Sequence, residues 1–132
     1  MALQHEIGLD PRFSSKGFYG HGLYLAEKAV YSNGTPGKEY CFKTSENGRQ
    51  VRQLLLVRAV VGTCKDYGTA IHRGHSVDDM AQGPGVLFDS VRGGPHRPSA
   101  SGTSGPGDCS SHMVVLYQLS QAYPEYLVSY TL

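Results

Sequence analysis

The sequence predicts an α+β domain in which strands dominate and a single short helix accompanies them. Seventeen glycines and nine tyrosines among 132 residues argue against a helical bundle. The apolar runs are short and rich in β-formers, as in packed strands joined by turns. Helical spacing of apolar residues stands out in one place only. A chain of this length fits one domain, with a core that can be self-sufficient but not generously so.

The helix is expected from about Leu25 to Ser32, where Leu25, Ala26, Ala29 and Val30 recur at helical spacing and Asn33-Gly34 ends the pattern. Residues 51–62 make the clearest strand, with Leu54, Leu56, Ala59 and Val61 apolar, Arg52 and Arg58 among them, and Gly62 as the stop. It is expected to be central. From Arg92 to Ser111 the composition turns to Gly, Pro and Ser, which cannot bury enough apolar surface to offset the entropy of ordering, so a mobile surface loop is expected. Two further strands, Met113 to Leu119 and Tyr126 to Leu132, are expected near one another. Between them Pro124 of Gln121-Ala122-Tyr123-Pro124 cannot donate to a ladder and marks a connection. No internal repeat is visible.

Charge and composition narrow the function classes. The formal net charge is +1 with scattered basic residues, so no stripe exists to hold a phosphate backbone, and nucleic acid is not an implied partner. No apolar run reaches the length of a bilayer span, and the first ten residues lack the features of a signal peptide. These features read as a soluble, intracellular chain, cytoplasmic or nuclear, with no membrane partner. Cys41, Cys64 and Cys109 are far apart and odd in number, which suits free thiols in a reducing compartment. Cys64, His72 and His75 could supply three metal ligands, but a fourth is missing, and loop histidines beside a strand end is the preferred reading, with no metal expected. A nucleophilic hydrolase finds no G-x-S-x-G elbow or paired Cys/His signature.

Four ordered segments carry a resemblance. Phe18-Tyr19-Gly20-His21-Gly22-Leu23-Tyr24-Leu25-Ala26, followed by Tyr31-Ser32, resembles the aromatic-G-K-G-x-Y-F-A and Y-S pattern of the poly(ADP-ribose) polymerase (PARP) type of ADP-ribosyltransferase. Gly8-Leu9-Asp10-Pro11-Arg12 precedes it, Leu87-Phe88-Asp89-Ser90-Val91 follows, and Gln121-Ala122-Tyr123-Pro124-Glu125-Tyr126-Leu127 comes near the end. The resemblance spans residues 7 to 132 and looks most like the mono-ADP-ribosylating branch, with the closing segment also similar to tankyrases. It implies the PARP catalytic fold, mainly antiparallel strands in two packed sheets with a short helix, of which this chain would be the C-terminal two thirds.

The resemblance also implies a chemistry. NAD serves as co-substrate, nicotinamide is released, and ADP-ribose passes to a protein acceptor. Cleavage of the glycosidic bond runs through an oxocarbenium-like state, so rigid positioning of nicotinamide and ribose supplies most of the catalysis. By the match, Tyr24 stacks on the nicotinamide and Ser32 hydrogen-bonds its carboxamide. Tyr40 is the candidate for the second face of an aromatic sandwich, although an insertion at Asn33 to Gly37 lengthens the spacing. Gly20 and Gly22 would let the backbone approach the ligand. Arg12, with the loop Phe13 to Phe18, resembles the donor loop over the adenosine. Each residue has a plainer reading: core packing for the tyrosines, a polar helix end for Ser32, a solvated turn for Arg12. For Tyr117 and Tyr123 core packing is preferred.

Departures from the family matter as much. Polymer-forming members carry a glutamate where this chain has Met113, whose thioether is no useful base, so chain elongation is expected to be lost. Neighbouring His112 would point to the opposite face of a strand. The family's early His-Gly pair has no counterpart, since His5 precedes Glu6 and His21 belongs to another motif. Each donor left unpaired by that gap would cost roughly 1–3 kcal/mol. His21 and Leu25 replace the usual lysine or arginine and phenylalanine. The two readings carried forward are a mono-ADP-ribosyltransferase and a catalytically inactive PARP-like module that binds NAD or ADP-ribose, or another protein.

Overall fold

A computed structural model describes residues 3–4, 8–9, 11, 16–73, 81–83, 85–98 and 108–132. The strands that carry the architecture are β1 (Leu23–Ala26), β2 (Phe42–Glu46), β3 (Arg49–Ala59), β4 (Cys64–Asp66), β5 (Ser90–His96), β6 (Ser111–Leu116) and β7 (Ala122–Tyr130), with helix α1 (Ala29–Asn33) after β1. They form a four-stranded sheet in the order β1-β6-β5-β4 and a three-stranded sheet in the order β7-β3-β2. Every pairing in these two sheets is antiparallel except β4 with β5, where Cys64 lies beside Ser90 in parallel register.

Alternation along β6 explains how the four-stranded sheet uses both faces. Met113 and Val115 join Tyr19 and Val91 in one cluster, bordered by Phe18, Tyr24, Tyr31, Tyr67, Phe88 and Tyr117. Val114 and Leu116 turn the other way, where Leu23 and Leu25 of β1 meet Leu55, Val57 and Ala59 of β3 and Ala122 of β7. The second cluster ties the two sheets together; the first builds the candidate site.

A single polar side chain closes the seam between the sheets. Gln121 ends the 3-10 turn Leu119–Gln121 and is buried. Its Oε1 accepts from the N–H groups of Tyr117 and Gln118, and its Nε2 donates to the carbonyls of Val60 and Asp89. All its principal hydrogen-bonding capacity is used, which is how a buried amide is tolerated.

Several sequence expectations shift. The strand expected at 51–62 runs from Arg49 to Ala59 and is central in its sheet, as anticipated. Leu25 and Ala26 belong to β1 rather than to a helix, because their backbones pair with Val114 and Met113; tertiary pairing overrides a short run at helical spacing. The helix is the five residues of α1, uncapped by any side chain. Helical structure among the described residues is limited to the five residues of α1, the 3-10 turn Leu119–Gln121 and Pro11, also in 3-10 conformation, so the α+β class overstates it. The loop expected at Arg92 to Ser111 is narrower, since Arg92 to His96 lies in β5 and Ser111 opens β6, while 99–107 falls outside the described residues.

The last two strands start earlier than expected and belong to different sheets, although Leu116 and Ala122 meet in the second cluster. Pro124 lies inside β7 rather than in the connection. It is tolerated because β7 is last in the hydrogen-bonded order of its sheet and its register shifts between Pro124 and Tyr126. Tyr123, expected in the core, is 65% exposed, since it pairs with Arg58 on the face opposite Ala122. Strand β2 was not expected at all. Asn47 and Gly48, both at positive φ, form the two-residue turn that pairs it with β3, the backbone type that favours Asn-Gly hairpins.

Candidate active site

The signature segment folds as a tight hairpin feeding β1. Lys16–Gly17 pairs with Gly20–His21, and Phe18 and Tyr19 form the turn between them. Gly20 has φ 76°, a conformation that favours glycine. At Gly22 an added Cβ would stand 2.5 Å from Val115 Cγ1, so this glycine lets the chain lie against β6. Both glycines therefore have a reason within the chain itself, independent of a ligand.

Tyr24 projects from β1 onto the face of Met113 and Val115, and its ring lies against Gly17, where a Cβ would come within 2.5 Å of Cζ. Its hydroxyl donates to the Gly20 carbonyl at 2.7 Å and accepts from the Tyr19 N–H at 2.8 Å. Burial raises the Tyr24 phenol above its ordinary pKa, and the N–H bond from Tyr19 partly offsets it. The phenol is thus a fixed, neutral group at neutral pH, suited to presenting a ring rather than moving a proton.

After α1 the chain makes a small turn that absorbs the inserted residues. Gly34 and Gly37 take positive φ, Thr35 bridges to Lys38, and the Lys38 N–H reaches the Thr35 carbonyl. The turn returns Tyr40 to Ser32, whose carbonyl accepts the Tyr40 N–H at 3.0 Å. Ser32 is half-buried, and its hydroxyl makes no hydrogen bond among the described residues. Tyr40 is 55% exposed and stacks on Tyr31 with centroids 5.7 Å apart and planes 7° apart. Its hydroxyl donates to the Pro98 carbonyl at 3.0 Å. Tyr31 packs against the Met113 cluster, and burial pushes its phenol up to about 12.

Met113 is 3% exposed and lies in register between Gly93 of β5 and Ala26 of β1. The hydrophobic cluster around it consists of apolar and tyrosine side chains. His112 alternates to the other face, and its carbonyl accepts from the Glu27 N–H. Tyr24, Met113 and Tyr31 therefore meet on one sheet face, and Ser32 and Tyr40 follow from Tyr31. Arg12 lies outside the described residues, as does His75. Among the described residues no three His, Cys, Asp or Glu side chains gather as a metal would require, and no helix is long and apolar enough to cross a membrane.

Sequence reading assigned no role to Tyr31 or Tyr19. Tyr31 is the ring on which Tyr40 rests. Tyr19 is fully buried, and its ring occupies the space above Gly93 that a Cβ would fill. The Tyr-Ser pair was a visible signal for the first; the second is visible only once β5 is folded. The resulting arrangement can hold a flat ring by stacking and orient it by hydroxyls, and at position 113 it presents a thioether, which is no useful base.

No family model matches the chain. It is similar to a probable poly(ADP-ribose) polymerase of Dictyostelium discoideum, 29% identical over 125 residues, which covers 95% of this chain and 28% of that protein. The chain thus spans little more than a quarter of the length of the curated relative it matches.

Proposed function

We propose that the chain is the nicotinamide-binding part of an NAD-dependent mono-ADP-ribosyltransferase. The observation that carries this reading is the meeting of Tyr24 and Tyr31 with Met113, far along the chain from both, in one cluster, with Ser32 and Tyr40 returned beside it. Similarity to a probable poly(ADP-ribose) polymerase supports the same direction.

In this reading Tyr24 and Tyr40 flank the nicotinamide. The uncovered surface of Tyr40 is available because Tyr31 stacks on the other side of its ring. The Ser32 hydroxyl, not bonded among the described residues, meets the carboxamide as donor and acceptor. As the glycosidic bond breaks, its electron pair leaves with nicotinamide and positive charge grows on the ribose, so the protein's contribution is to fix both partners while a protein side chain attacks. Met113 supplies no base to activate a second ADP-ribose, which limits the product to a single unit.

The same methionine favours a second reading, a PARP-like module that binds NAD or ADP-ribose, or a protein partner, without transfer. Calorimetry with NAD and with a nicotinamide mimic, followed by incubation with labelled NAD and analysis of product length, separates the two. The transferase reading expects binding and single-unit products, tested on the chain alone and within any longer natural protein that contains it. Binding without transfer in both would favour the module, and no binding in either would remove NAD from the account.

A further inference from the structure

Tyr19 contributes a hydrogen-bonding arrangement that the transfer reaction does not explain. Its hydroxyl oxygen lies 2.8 Å from His96 Nε2, 2.9 Å from the Ala70 carbonyl and 3.4 Å from the Gly68 carbonyl. A phenol carries one hydrogen. Two short contacts can both be hydrogen bonds only if one partner brings a hydrogen of its own, which a carbonyl cannot and an imidazole can. His96 reaches this position because the β5–β6 register slips between Gly93 and His96. It is buried, with the Phe18 ring at 4.7 Å between centroids.

We propose that Tyr19 and His96 are positioning residues for the candidate site: neutral His96, protonated on Nε2, donates to the Tyr19 hydroxyl, which donates in turn to the Ala70 carbonyl. This pair pins the Phe18–Tyr19 turn, and from that turn the Tyr19 N–H and the Gly20 carbonyl hold the Tyr24 phenol. The proposal rests on Tyr24 being the nicotinamide platform. Reinforcement comes from Tyr67, whose ring stacks on Tyr19 with centroids 5.8 Å apart, and from Tyr117, whose hydroxyl donates to the Tyr19 carbonyl.

The electrostatic surroundings favour the neutral imidazole. Burial first, and then repulsion from His112 on β6, hold His96 below the usual histidine range. Arg73 lies over the Phe18 ring that covers His96, and the groups acting electrically on Tyr19 are Tyr24 and Asp66. No carboxylate pairs with His96 among the described residues. Since the unfolded chain then binds the proton more readily, the contribution of this pair is present above the ordinary histidine value of about 6.5 and is lost as pH falls through and below it.

Long-range proton–nitrogen NMR on the whole chain tests the arrangement directly. Near neutral pH, His96 is expected as the Nε2–H tautomer with a titration midpoint below that of a free histidine; an Nδ1–H tautomer would overturn the assignment. Tyr19→Phe and His96→Leu are expected to weaken binding of a nicotinamide mimic by about three- to tenfold, while His96→Gln, whose amide N–H can replace the Nε2 donor, stays within about twofold of the parent. His96→Gln as weak as His96→Leu overturns the positioning role. A parent chain that binds no mimic refutes the Tyr24 reading instead, and the tautomer still decides the pair.

Discussion

Tyr24 serves packing in the fold and, under the proposed function, recognition as well. Its hydroxyl satisfies a backbone N–H and a carbonyl in the hairpin that precedes it, so the ring is held at a fixed height above Met113. Tyr24→Phe leaves both groups unpaired and is expected to cost about 1–3 kcal/mol in chemical denaturation, with mimic binding weakened rather than abolished. Tyr24→Ala, by removing the platform, is expected to abolish binding measured by calorimetry. Met113 makes the opposite case, a residue whose value lies in being apolar. Met113→Glu would bury a carboxyl in an apolar and tyrosine cluster, raising its pKa above the unfolded value of about 4.3, so the variant is expected to lose stability as pH rises past that value. Denaturation profiles across pH read this, and product analysis is expected to show no polymer.

Elements were legible where their own residues dictated them. Strand β3 has apolar residues enough to be recognised alone, whereas the hairpin before β1 was not expected, its glycines having been read only as sites of ligand approach. Strand β2 was not, because Phe42–Glu46 is exposed throughout and carries no apolar alternation; only Asn47-Gly48 announced it. The helix was displaced because Leu25 and Ala26 answer to β6, a partner far along the chain. Of the candidate site, Tyr24, Ser32 and Met113 were readable as motif positions, whereas the Tyr31–Tyr40 stack depends on how residues 34–39 turn. Gly34 controls that turn: its φ is 73°, and a Cβ there would strike the Lys38 carbonyl. Gly34→Ala is therefore expected to weaken mimic binding through loss of the Tyr40 position while leaving the Tyr24 phenol in place, a difference that tyrosine ring NMR signals would resolve.

For the molecule as a whole, the seam between the sheets matters more than either sheet. Gln121 bonds to the main chain at Val60 beyond the end of β3, at Asp89 before β5, and at Tyr117 and Gln118 after β6. Gln121→Leu removes every one of these partners, and an expected loss of about 3 kcal/mol or more in denaturation follows from several buried groups left unsatisfied. The sequence marked this glutamine through the family pattern, but its job as a bridge was hidden, since the groups it joins lie on separate segments. The expected packing of two sheets rests on the apolar cluster that Gln121 borders, from Leu23 and Leu116 on one side to Leu55 and Val57 on the other.

The bare backbone of Gly93 beneath the Tyr19 ring carries an evolutionary corollary. These positions are mutually dependent: a natural variant that acquires any side chain at 93 must shrink or relocate the residue at 19. Among divergent homologues the two sites should change in concert, and that covariation would reveal the contact to anyone holding the sequences alone.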